Sequence, residues 1–87
     1  MKVEFRESFV KDLDGRDTAI LLRLRKVIER LELADSLLSI PNIKRMKGGN
    51  AYFRIRVGDY RLGLKLDEQQ VIVIRFLHRK EIYRYFP

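Results

Sequence analysis

Eighty-seven residues with a formal net charge of +7 and no cysteine describe one domain, residues 1–87, with neither a disulfide nor a thiolate metal site. At this size a chain buries only about 60–65% of its unfolded surface, so a single modest core is expected. No apolar run approaches the ~20 residues that cross a bilayer. Residues 1–15 are dotted with charges from Lys2 to Asp14 where a signal peptide needs an apolar stretch. The expectation is a cytoplasmic protein with no membrane partner. The charge is unevenly spread. Residues 1–43 hold eight basic and eight acidic side chains, whereas residues 44–87 hold eleven basic and four acidic ones, so the whole excess lies in the second half. Such asymmetry points to a polyanionic partner.

Residues 2–5 alternate and predict a short strand with Val3 and Phe5 inward. Ser8 to Leu13 predict one and a half turns of helix, broken by Asp14-Gly15-Arg16. Asp17 is the expected N-cap of a longer helix running to about Leu33. Its apolar residues Ile20, Leu21, Leu24, Val27, Ile28 and Leu31 follow the 3.6-residue period of one buried stripe. The polar side carries Arg23, Lys26, Glu29, Arg30 and Glu32, and its mixed signs read as an ordinary solvated face. Residues 34–42 form a connector that Pro41 keeps from being helical. In Ile43 to Gly49, Ile43 and Met46 anchor to the core while Lys44, Arg45 and Lys47 face outward.

Tyr52 to Leu66 read as two strands joined at Gly58-Asp59, a two-residue turn in which glycine supplies positive φ. Counting back from the turn pairs Val57 with Tyr60 and Arg56 with Arg61. Phe53, Ile55, Val57, Tyr60, Leu62 and Leu64 then share one face. Tyr52, Arg54, Arg56, Arg61 and Lys65 share the other. Like charges directly opposed on a sheet cost roughly 0.2–1 kcal/mol, so the register itself asks for an anion. Asp67 to Gln70 make a second turn, and Val71 to Leu77 an apolar central strand. If Arg75 is to avoid the core, Ile72, Ile74 and Phe76 face the helices and a bulge or an odd turn residue is needed. Helices in so short a chain cover one sheet face, which leaves apolar groups of this strand open to a partner. His78 to Pro87 close the chain as a short helical segment, with Phe86 or Tyr85 pinning its end. The result is an α+β domain: an N-terminal strand and two helices packed on one face of a mostly antiparallel four-stranded sheet, and a short C-terminal helical segment.

The side chains on the open face are rich in cations and poor in carboxylates. Arg54, Arg56, Arg61, His78, Arg79 and Tyr83, with Lys44 and Lys47 at the margin, cannot form a two-metal nuclease site, and a single histidine excludes a mechanism with two histidines as base and acid. Metal-free RNA cleavage remains open. The 2′-hydroxyl attacks the adjacent phosphate, and the reaction needs a proton acceptor, a donor to the leaving 5′-oxygen and cations around the phosphorane. Arginine forks suit the phosphate. Histidine titrates nearest neutrality, and a phenol among arginines is a better base than a free one.

The run Tyr52-Phe53-Arg54-Ile55-Arg56-Val57-Gly58-Asp59-Tyr60-Arg61, followed by His78-Arg79-Lys80-Glu81-Ile82-Tyr83, with Lys47-Gly48 upstream, resembles the RelE/ParE superfamily of prokaryotic toxins. The likeness covers nearly the whole chain. It implies a ribosome-dependent endoribonuclease that enters the A site, cuts mRNA and inhibits translation without metal or other cofactor. Arg61, Arg79 and Tyr83 match catalytic positions of the RelE branch, and His78 resembles histidine-bearing relatives. Arg54 and Arg56 match its basic strand positions, with Lys44 and Lys47 as further phosphate contacts. The resemblance also implies a cognate antitoxin protein that covers the basic face. Two alternatives stand beside this reading: a ParE-like poison of DNA gyrase, and a non-catalytic RNA-binding module.

Overall fold

A computed structural model describes residues 1–49 and 51–87. In chain order they form β1 (Lys2–Phe5), α1 (Glu7–Asp12), α2 (Thr18–Leu33), a 3₁₀ turn (Leu37–Ser39), β2 (Ile43–Arg45), β3 (Tyr52–Val57), β4 (Tyr60–Asp67), β5 (Gln70–His78) and α3 (Ile82–Tyr85). The sheet order is β1-β5-β4-β3-β2. The three long strands form an antiparallel meander, and β1 pairs with β5 in parallel. The α+β architecture is the expected one, with one strand more than the four read from the sequence. The addition is β2, whose Lys44 pairs with Arg54 at the sheet edge.

The local causes are visible in the sequence. Asp17 caps α2 by accepting the Ile20 N–H at 3.1 Å. The predicted stripe of α2 faces the sheet: Leu24 and Leu31 are fully enclosed, and Ile20, Leu21, Val27 and Ile28 pack around them. At ~1.5–3 kcal/mol per enclosed aliphatic side chain, this layer is the main hold between helix and sheet. The hairpin turns at Gly58, whose φ of 59° suits the first central position of a two-residue turn. Its register is the predicted one, Val57 with Tyr60 and Arg56 with Arg61. Ile55, Val57, Leu62 and Leu64 therefore fall together in the core.

The final strand departs from expectation. Val71, Val73 and Phe76 enter the helix-side core, not Ile72 and Ile74. A bulge keeps Arg75 out of the core, as required, but it lies within β5 opposite Gly63–Leu64 instead of at the turn. It comes where β1 ends and α1 takes over the strand edge. Ser8 Oγ donates to the Ile74 carbonyl at 2.7 Å. Asp12 accepts two bonds from Arg75, at 2.8 and 3.0 Å, and the Phe76 N–H at 2.9 Å. The Asp12 hydrogen bond and charge hold Arg75 above its ordinary pKa against the opposing effect of burial.

The apolar groups on the other face of β5 are not left for a partner. The C-terminal segment folds over them, and Ile82 and Phe86 join Met46, Leu77 and Ile74 in a second, smaller core. Phe86 is the pin, while Tyr85 is half exposed. Phe86 is seated because position 63 is glycine. A Cβ there would come within 2.7 Å of its ring.

Candidate RNA-phosphate site

The alternation that buries Ile55, Val57 and Leu62 turns Arg54, Arg56 and Arg61 to the opposite face. Arg61 is steadied by the hairpin tip, its Nη1 donating to the carbonyls of Gly58 at 3.0 Å and Tyr60 at 2.9 Å. The tip also anchors the end of β5, because the Arg79 N–H donates to the Asp59 carbonyl at 2.7 Å. Arg79 thus stands beside Arg61, and the next turn leads into α3, where Ile82 is buried and its neighbour Tyr83 is 65% exposed.

The charges of these groups act on one another. The Arg61 guanidinium is held below its ordinary pKa, first by burial and then by the positive charge of Arg54, with Arg56 and Arg79 adding to the effect. Tyr83 acts in the opposite sense on the same group. Four guanidiniums and one phenol therefore share a field. Among the described residues no ion pair takes Arg54, Arg56, Arg61 or Arg79; the four pairs present are Lys2–Glu4, Lys11–Glu7, Arg25–Glu29 and Arg75–Asp12. The Arg54 Nε is buried with no hydrogen-bond partner among the described residues. An open depression of about 420 Å³ is lined by Arg23, Asn42, Arg56, Arg61 and Arg79, together with Gly58 and Asp59 of the hairpin tip. A cluster of fixed, mutually repelling donors around an open depression suits an anion that accepts several hydrogen bonds at once.

The structure brings together five of the eight predicted site residues, Arg54, Arg56, Arg61, Arg79 and Tyr83. Lys44 joins their face through its pairing with Arg54. Lys47 is exposed beyond the end of β2. His78 goes elsewhere. It pairs with Tyr60 across β4–β5 and meets that ring edge-on at 5.6 Å, so it shares the helix side of the sheet and not the side of Arg61. Its Nδ1 accepts the Lys80 N–H at 3.2 Å. Arg45 also faces the helix side, its guanidinium lying 5.1 Å from the Phe53 ring centre.

Two residues of the site escaped the sequence reading. Asn42, at φ 64°, accepts the Arg56 N–H through its carbonyl and the Arg56 guanidinium through Oδ1 at 3.1 Å, and its carbonyl also takes Arg54 at 3.4 Å. The signal was an asparagine after proline, the residue type that tolerates a left-handed backbone and bonds locally. Arg23 of α2 was hidden in a face of mixed sign. Among the described residues no group of His, Asp and Glu could hold a metal ion, and no helix is long and apolar enough to cross a membrane.

Comparison with known proteins gives the family. The model of the family described as the ParE toxin of type II toxin–antitoxin systems, parDE, matches residues 3–83. The chain belongs to this family. Over the full length of both chains the toxin is 44% identical to the toxin RelE3 of Methanocaldococcus jannaschii. Its fold matches the RelE chain in a RelB–RelE antitoxin–toxin complex from Methanococcus jannaschii with a TM-score of 0.82 and 42% identity, over 97% of this chain and 99% of that one. An archaeal RelE–RelB complex from Pyrococcus horikoshii gives a TM-score of 0.75 over 93% of this chain and 97% of that one, and at 19% identity it speaks to the fold alone. The chain is a toxin of the RelE/ParE superfamily.

Proposed function

We propose that this toxin cleaves mRNA in the ribosomal A site and thereby stops translation. The observation that supports the reading is the shared field of Arg54, Arg56, Arg61, Arg79 and Tyr83, of which Arg56, Arg61 and Arg79 line an open depression, with no ion pair from these arginines to a carboxylate among the described residues. Arg54, Arg56 and Arg61 grip the scissile phosphate and meet the charge that builds on its equatorial oxygens, with Lys44 and Lys47 holding flanking phosphates. Tyr83, acting as the phenolate, takes the proton of the attacking 2′-hydroxyl. The bond from the 2′-oxygen to phosphorus forms, the bond to the 5′-oxygen breaks, and the departing oxygen, held by a hydrogen bond from Arg79, takes its proton from water. His78 is left out of the proton chemistry because it faces Tyr60.

The partner of the same proposal is an antitoxin protein. A groove of about 870 Å³ between α1 and α2, lined by Phe5, Phe9, Val10, Leu21 and Ile28, offers an apolar seat for a helix of such a partner. The test is purified ribosomes programmed with a defined mRNA, with new 5′ ends mapped by primer extension. Discrete cuts in the A-site codon that vanish with Arg61→Ala and with Tyr83→Phe are expected, and intact mRNA with wild-type toxin refutes the reading. The description of the matching family favours one rival, a ParE-like poison of DNA gyrase, which predicts cleaved plasmid in the presence of gyrase and intact mRNA on the ribosome.

A further inference from the structure

The polar side of α2 is sorted by charge. Arg25, Glu29 and Glu32 border the apolar groove against α1, where Arg25 pairs with Glu29 at 3.4 Å. Arg23, Lys26 and Arg30 line the other flank, spaced three and four residues apart, so their Cα atoms fall on one strip about 10 Å long. All three are exposed, and none takes part in an ion pair among the described residues. They border a depression of about 170 Å³ that ends at Pro41, Asn42 and Arg56. Arg23, Asn42 and Arg56 also line the larger depression next to Arg61 and Arg79. Arg23, Asn42 and Arg56 thus form a border common to the two hollows, one reaching to Arg61 and Arg79 and the other to Lys26 and Arg30. Arg23 is laid directly over that tip. A Cβ at residue 58 would stand 2.7 Å from its Nη1, so the glycine of the turn also makes room for the cation.

Stability does not account for this arrangement. Three cations gathered next to Arg56 and Arg61 repel one another, and the acids of α2 that could offset them sit on the opposite flank. We propose that Arg23, Lys26 and Arg30, with Asn42 and Arg56, form a second phosphate-binding groove that holds RNA backbone continuous with the cleavage site. This inference rests on the endoribonuclease reading for the identity of the nucleic acid. An RNA backbone suits the groove better than an acidic protein helix does, because the larger apolar groove that would seat a helix lies on the other flank of α2, while this flank offers three cations with no ion pair among the described residues. The RNA is the cleaved strand itself or ribosomal RNA beside it, and the two give different results below.

The test compares wild-type toxin with R23Q/K26Q/R30Q and, as a control on the other flank, Arg25→Gln. All four positions are exposed, and circular dichroism checks that the fold is kept. Binding is measured across a salt series with two probes, a 12-nucleotide RNA made uncleavable by 2′-O-methylation and purified ribosomes. Three lost phosphate contacts lower the slope of log K against log salt by about 2, equivalent to binding about 100-fold weaker at 0.1 M salt. The loss with the free RNA assigns the groove to the cleaved strand, and the loss with ribosomes alone assigns it to ribosomal RNA; Arg25→Gln matches wild type in both. Unchanged slopes with both probes overturn the proposal. The readout is binding and not scission. A wild-type toxin that cuts nothing but shows the slope change would sink the endoribonuclease reading and leave the groove standing.

Discussion

On the helix side of the sheet, Ile55, Val57, Leu62 and Leu64 are sealed under α2. One residue along in each case, β3 and β4 present Arg54, Arg56 and Arg61 to the other side, where Arg56 and Arg61 oppose each other directly. The period of two lets one hairpin do both. The aliphatic layer provides enough stability for the far side to carry an arrangement that costs some. The two faces also differ in how they are closed. The helix side is covered by an amphipathic helix with a sequence signature of its own. The other is capped by the four residues of α3, the Phe86 ring resting on Gly63 and Met46 beside them. The difference teaches that the cationic face is held up from behind, and substitutions on the two sides should fail in different ways.

The largest effect is expected at the centre of the cationic side. Arg61→Ala should cut the rate of RNA cleavage by about 10²–10³, the scale for losing one donor to a transition-state oxyanion, while the far-ultraviolet spectrum stays that of wild type. Phe86→Ala removes the pin of the small core, and denaturant melts should show a loss of about 3 kcal/mol. Because α3 carries Tyr83, cleavage should fall as well, which ties the thin cover of this face to its chemistry. Asp12→Ala strips Arg75 and the Phe76 N–H of their acceptor at the bulge, a loss of about 2–3 kcal/mol by the same melts. That effect belongs to the scaffold, so the cleavage rate of the folded fraction should not change. His78→Ala should leave cleavage within about twofold of wild type, since its ring lies against Tyr60; a loss as large as that of Arg61→Ala would move the proton chemistry to the other side of the sheet. The smallest effect carries the most telling sign. Arg56→Gln should raise stability by about 0.2–0.5 kcal/mol by relieving the cross-strand repulsion, and should weaken RNA binding.

Much of the helix side was legible in the sequence, because every local signal there agreed. The capping Asp17, the stripe from Ile20 to Leu31 and the Gly58-Asp59 turn each point to the same layer, and the turn fixes the register that gathers the arginines. What was not legible depended on contacts made at a distance. Three residues with two positive charges carry no strand signal, and β2 forms because β3 offers an unpaired edge and Asn42 can turn the chain onto it. The facing of β5 is decided by its bulge, which answers the hand-over from β1 to α1. No pattern within Val71 to Leu77 records that hand-over, so the roles of Ile72 and Ile74 were misplaced; His78 was misplaced because β5 runs through it instead of ending at Leu77, which sets it on the same side as Phe76. Phe86 was expected as a pin, but the face it covers was missed for a similar reason: its fit over Gly63 joins residues 23 positions apart. Arg23 and Asn42 gain their importance from the hairpin tip, which only the fold brings to them.

The central claim is that the cations of the open face drive attack by the RNA's own 2′-hydroxyl. The most direct measurement uses a ribosome-bound mRNA carrying a single 2′-deoxy substitution at the cleaved position, with the ends of the products from the unmodified message analysed in parallel. The account predicts no cut at the deoxy position, and a 2′,3′-cyclic phosphate and a 5′-hydroxyl from the normal message. Cleavage that survives the deoxy substitution, or products that carry a 5′-phosphate, would contradict it.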